Sequence, residues 1–240
     1  MSEESKQPLF YNKPIPIQKE LHSASGLDRN ISYGFTKNTN SAPVNIQEFA
    51  ILSKFYPIVF TADDLCSPVA VLGLKNEQND FINHKGEWEK GFYIPAYIRR
   101  YPFAFSGAED KLVLCIDESS ERFRKKASSS DDMFFLNDEP SQLIKSALQF
   151  CSEYQRDQID TLRFSKALKE KGILAERQIN VVPHNKKEPV ILAGFQIIDE
   201  ERLSKLDDAT VLEWHKNGYL ALIYCQLIST SNWQSLTSKI

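Results

Sequence analysis

The stretch GFYIPAYIRRYPFAF, residues 91–105, sets six aromatic side chains around two adjacent arginines. Burying one aromatic side chain removes on the order of 150–250 Å² from water, roughly 4–6 kcal/mol gross at about 25 cal/mol per Å². Phe92, Tyr93, Tyr97, Tyr101, Phe103 and Phe105 therefore read mainly as core. Arginine obeys the opposite rule, because hiding an unpaired guanidinium costs several kcal/mol, and consecutive helical residues point about 100° apart. Arg99 and Arg100 are expected to diverge, one closing the core edge against a carboxylate and the other facing outward beside tyrosines. Arginine with tyrosine and tryptophan is the composition of interface hot spots and of anion pockets. The candidate binding residues are Trp88, Tyr97, Arg99, Arg100 and Tyr101, with Asp117 and Glu118 placed after an apolar strand to answer the arginines.

Other chemistries lack their residues. Nine glycines are spread along the chain without a GxGxxG or GxxxxGK[ST] loop, so neither common nucleotide site is spelled out. His22, His84, His184 and His215 are isolated from one another, with no HxH or HxxxH pair to hold a metal. No GxSxG elbow accompanies the serines. The remaining acidic pairs, such as Asp63-Asp64, Asp131-Asp132 and Asp207-Asp208, fall at turns or helix starts, where carboxylates cap exposed amides. Cys66, Cys115, Cys151 and Cys225 lie far apart among apolar neighbours and read as reduced structural thiols. No cofactor and no metal are expected.

With 29 basic and 32 acidic residues the net charge is −3, which gives no long-range attraction to nucleic acid or anionic lipid. MSEESKQPLF has neither the basic start nor the apolar run of a secretory signal. YLALIYCQLI, residues 219–228, is about half of a membrane span and is interrupted by Gln226. A cytoplasmic address follows as the expectation.

The elements that must position these residues are legible in outline. Residues 1–43 read as an extended arm with one short strand, and 44–240 as a single α+β domain. Asn45 and Glu48 have capping-box spacing ahead of a helix that Pro57 must stop. IVF (58–60), PVAVLGL (68–74), FAF (103–105) and LVLCIDE (112–118) read as strands of an antiparallel meander. Pro95 opens a short helix that Pro102 ends. Residues 119–140 are polar enough to read as a flexible loop, carrying an apolar island, MFFL, that docks on the core. Ser141 caps one long helix reaching Gly172, whose apolar stripe slips near 155–158. RQINVV and PVILAGFQIID form a hairpin around HNKKE, short helices follow, and 219–228 has helical spacing with a buried strand as the alternative. The fold class is α+β: a largely antiparallel sheet packed with several helices, one of them long and in the second half.

YPIVF, PVAVLGL, the Trp88 segment, YIPAYIRRYPF, LCIDE, FQIIDEERLSKL and LALIY resemble the bacterial SapC family over nearly the whole chain, and His22 falls where that family commonly carries histidine. The resemblance implies an accessory role, since relatives occur near genes for halogenase-like and cupin-like proteins, and it brings no catalytic residues. The permease label borne by some relatives does not fit a chain with no membrane span. Two functions stay open. One is a non-enzymatic accessory protein that binds a protein or peptide partner, a halogenase-like or cupin-like protein among them, or a second copy of itself. The other is an enzyme or small-anion binder with the arginine pair in a pocket and Asp117 or Glu118 as acid or base.

Overall fold

The computed structural model describes residues 8–107, 112–181 and 189–239. In place of one short strand, the arm carries β1 (Pro14–Pro16), α1 (Lys19–His22) and β2 (Gly26–Asp28). β3 (Ser41–Pro43) precedes the capped segment, where Asn45 and Glu48 do form a capping box over a 3-10 turn that runs into α2 (Phe49–Leu52). That helix ends well before Tyr56, which Pro57 keeps out of helical geometry. β4 (Ile58–Thr61), β5 (Pro68–Val71), β6 (Phe103–Ser106) and β7 (Val113–Asp117) fall on the four apolar runs, and α3 (Ala96–Arg99) starts directly after Pro95. The segment expected as a loop contains four short strands, β8 (Phe123–Arg124), β9 (Asp131–Met133), β10 (Phe135–Leu136) and β11 (Glu139–Pro140).

The long helix is α4 (Gln142–Glu170), and the hairpin is β12 (Leu174–Val181) with β13 (Val190–Ile198); its HNKKE turn lies outside the described residues. α5 (Glu200–Leu203) and α6 (Asp208–Lys216) are capped by the carboxylates of Asp199 and Asp207, which accept from the amides of Arg202 and Thr210. Gly218, at φ 82°, stops α6 in the left-handed conformation that glycine tolerates. α7 (Tyr219–Ser229) decides 219–228 in favour of helix, and α8 (Trp233–Thr237) closes the described chain.

The chain divides into two compact units. The first takes the residues up to Phe35 and Arg99–Gln155, and the second Thr36–Ile98 and Arg156 onward, so the residues read as one arm belong to both. The division inside α4 falls where its apolar stripe slips.

In the first unit one antiparallel sheet runs β1-β7-β6 and another runs β8-β2-β9, with β10 and β11 as a separate pair. Leu27, Phe103, Leu114, Ile116, Phe134, Ile144 and Cys151 form its core, so the MFFL island does bury a ring, Phe134. The second unit has a five-stranded antiparallel sheet ordered β12-β13-β4-β5-β3. The expected single meander is therefore corrected: β4 and β5 pair in one unit and β6 and β7 in the other, because the 31 residues from 72 to 102 are too many for a hairpin and build their own turns and α3.

In the second unit Phe49, Phe60 and Tyr219 surround Phe164, with ring centroids 5.9, 6.4 and 5.0 Å away. Gln226, the polar interruption of α7, is fully buried and useful there. Its amide donates to the Ile58 carbonyl at 3.0 Å and accepts from the Ile198 amide at 3.4 Å, tying α7 to β4 and β13. Among the described residues no helix is long and apolar enough to cross a membrane.

Candidate functional site

Tyr101 follows the last turn of α3 and precedes β6, and in the first unit it stands in a cluster of rings. Phe35 packs against it with centroids 4.2 Å apart and planes tilted by 31°, and Tyr11 meets it edge-on at 5.3 Å. Phe10 in turn meets Phe35 edge-on at 5.2 Å. Burial pushes the Tyr101 hydroxyl above its ordinary pKa, against the opposing effect of its hydrogen bond with Ser120.

Three of this unit's guanidiniums line the concavities beside Tyr101. Arg99 is exposed and lies over the Phe150 ring at 5.3 Å, while the half-buried Arg100 lies over Tyr154 at 4.4 Å and Tyr11 at 5.6 Å. Phe150 and Tyr154 are one turn apart on α4, so one helix face receives both cations. Arg122, from the segment expected as a loop, is half-buried and donates from Nε and Nη2 to the Asp28 carbonyl at 3.0 and 2.9 Å. Burial draws its pKa down, with Asp28, Tyr33 and Asp132 opposing. Among the described residues Arg122 forms no ion pair.

Two concavities adjoin these groups. One of about 370 Å³ is lined by Tyr101, Phe35 and Phe10 on its apolar side and by Asn12, Ser32, Ser119, Ser120, Glu121 and Arg122 on its polar side. A smaller one of about 190 Å³ is lined by Arg99, Arg100, Tyr101, Arg122 and Phe150, among others. Tyr101 and Arg122 border both.

The two carboxylates expected to answer the arginines are engaged elsewhere. Asp117 is wholly buried at the end of β7. It accepts from the amides of Asn12, Lys13 and Ser119 at 2.9, 3.0 and 2.9 Å and from the Ser119 hydroxyl at 2.6 Å. Burial alone would raise its pKa, but these bonds prevail and hold the carboxyl below its ordinary value. Glu118 bonds Lys13 Nζ at 2.6 Å and faces His22 Nε2 at 3.6 Å; Lys13 above all holds its pKa down. β1 pairs with β7, which brings the backbone amides of residues 12 and 13 onto Asp117 in place of a guanidinium.

Trp88 and Tyr97 belong to the second unit and are buried there, at 8% and 6% exposure. The Trp88 indole donates to the Tyr56 hydroxyl at 3.1 Å and its ring stacks on Phe81. Neither supplies the contact surface read from the sequence, because both side chains are buried and the Trp88 indole N–H is satisfied internally.

Sequence reasoning missed Arg122, Glu121, Ser119 and Ser120, which lie in a run of serine and charge with no period. It also passed over Phe10, Tyr11 and Phe35. The available signal was the presence of these rings in an otherwise polar arm. Among the described residues no group of three or more histidine, cysteine or acidic side chains is placed to hold a metal.

A family model described as SapC matches residues 17–236. Neither the curated proteins nor the solved structures contain a match to the chain.

Proposed function

The chain belongs to the SapC family, and we propose that it is a non-catalytic binding protein whose ligand presents a negative charge to the first unit at Tyr101. The observation that carries this reading is that Arg122 borders both of two concavities that share Tyr101, with Arg99 and Arg100 on the smaller, while Asp117 and Glu118 are engaged by other donors. A partly desolvated guanidinium beside hydroxyls is a good anion receptor, because the planar fork matches a carboxylate and the surrounding rings reduce competition from water.

Binding fits better than catalysis. General acid–base chemistry needs a group poised near neutral pH, whereas Asp117 accepts four hydrogen bonds and is held ionised. A second reading, a protein partner that places a carboxylate on the rim, is favoured by the exposure of Arg99 above Phe150. On either reading we place the protein in the cytoplasm.

Thermal denaturation with phenylacetate as the probe tests the proposal. A ligand that binds only the native state raises Tm in proportion to its occupancy. The wild type is expected to be stabilised, with the gain lost in Arg122→Gln and reduced in the Arg99→Ala, Arg100→Ala double variant. Equal stabilisation of all three proteins would remove the arginines from the site.

A further inference from the structure

The geometry points to a free α-amino acid with an aromatic side chain as the ligand of the larger concavity; this rests on the anion-binding reading above and names its ligand class. Glu121 and Arg122 are adjacent in sequence and both line the same space of about 370 Å³. Among the described residues neither takes part in an ion pair: Arg122 bonds the Asp28 carbonyl and feels Asp28 and Asp132 only through space, so two opposite charges border one pocket without a salt-bridge partner. A free amino acid carries the complementary pair, a carboxylate for Arg122 and an ammonium for Glu121.

The rest of the lining agrees. Small-ligand pockets span roughly 300–1,000 Å³ and are mostly apolar with a few placed polar groups. This one lies at the small end of that range, with room for a single ring and its two charged groups. Phe35 and Tyr101, tilted by 31° at 4.2 Å, and Phe10, edge-on to Phe35, offer an aromatic wall. Offset or edge-on ring contacts add to plain apolar burial, and the ammonium gains from the same faces. The alternatives fit less well: phosphate would meet the Glu121 carboxylate, and an aromatic amine would meet Arg122.

Isothermal titration with four probes tests this: L-phenylalanine, phenylacetate (no ammonium), phenethylamine (no carboxylate) and inorganic phosphate. Each is titrated into the wild type, Glu121→Gln and Arg122→Gln. L-phenylalanine is expected to bind tightest, with each single-charge analogue weaker by roughly tenfold. Glu121→Gln should weaken L-phenylalanine and leave phenylacetate unchanged. Arg122→Gln should weaken L-phenylalanine and phenylacetate and spare phenethylamine. Glu121 is exposed, so its variant keeps the fold, and Arg122→Lys retains the charge should loss of the Asp28 contacts unsettle Arg122→Gln.

Phenylacetate or phosphate binding as tightly as L-phenylalanine, insensitive to Glu121→Gln but dependent on Arg122, would overturn the amino-acid assignment and leave the anion reading standing. Absence of any arginine-dependent binding at about 10 mM of every probe would overturn both.

Discussion

Asp117 shows how one side chain can be conspicuous in sequence and yet serve a different purpose. An acid at the end of a strongly apolar strand looks like a partner for nearby arginines. Once β1 lies against β7, three backbone amides and a hydroxyl take its oxygens instead. Replacing it by asparagine turns one acceptor into a donor facing the Asn12 amide, and an expected loss of about 2–3 kcal/mol follows, measurable by urea denaturation. Its pKa is lower in the native state than in the unfolded chain. Its stabilisation is therefore complete above the ordinary carboxylate range and is lost as pH falls through that range and below. Acid titration of wild type and Asp117→Asn should show the two stabilities converging at low pH.

Cys151 is the opposite case, fully legible in sequence as a buried thiol. Burial pushes its pKa up to about 11, so the thiolate is scarce at neutral pH. Iodoacetamide at mildly alkaline pH is expected to spare Cys151 in the native protein and modify it after unfolding. Labelling at the same rate in both states would mean that the core around Leu27 and Phe103 opens readily.

Among the elements, those with a long period or a cap were readable. The Asn45–Glu48 box, α4 and the β12–β13 hairpin follow signals carried within one stretch of sequence, a cap, a helical period or two apolar runs flanking a turn, whereas the spacing of 219–228 allowed helix or strand and α7 is the first of these. β1, β2, β8 and β9 were not, since strands of two or three residues carry no alternation and find their partners roughly a hundred residues away, as Pro14 does opposite Asp117 and Gly26 opposite Met133; β10 and β11 pair locally but are two residues each. The candidate site suffered most from this, because Arg122 is placed by the pairing of β8 with β2 rather than by anything in its own neighbourhood.

Gly26 gives a direct check of that buried pairing. A Cβ there would lie 2.6 Å from the Asp132 carbonyl oxygen and 2.9 Å from the Ala127 side chain. Gly26→Ala is expected to cost roughly 1–3 kcal/mol as overpacking, read as a lower urea midpoint with an unchanged slope. A neutral effect would show that β2 is not held between β8 and β9. Phe134→Ala, which empties the centre of the same unit, should cost about 3–5 kcal/mol by the same measurement.

On the scale of the whole molecule the formal charge is −3, although three arginines line the smaller concavity at Tyr101. Composition alone therefore argued against attraction to anions at long range, and that argument still holds: recognition at Tyr101 has to work at contact distance. Arg122 is half-buried, so salt should weaken binding less than it weakens an exposed ion pair, where screening acts over about 10 Å at 0.1 M. The α+β class, the antiparallel sheets and the long helix were visible in the sequence, whereas the division into two units depends on which strands pair.

The most direct test of anion binding at Tyr101 is amide chemical-shift mapping during titration with phenylacetate. The largest changes are expected at Asn12, Tyr101 and residues 119–122, saturating together and vanishing in Arg122→Gln. Changes concentrated on α7 or the five-stranded sheet, or none at all, would contradict a binding site at Tyr101.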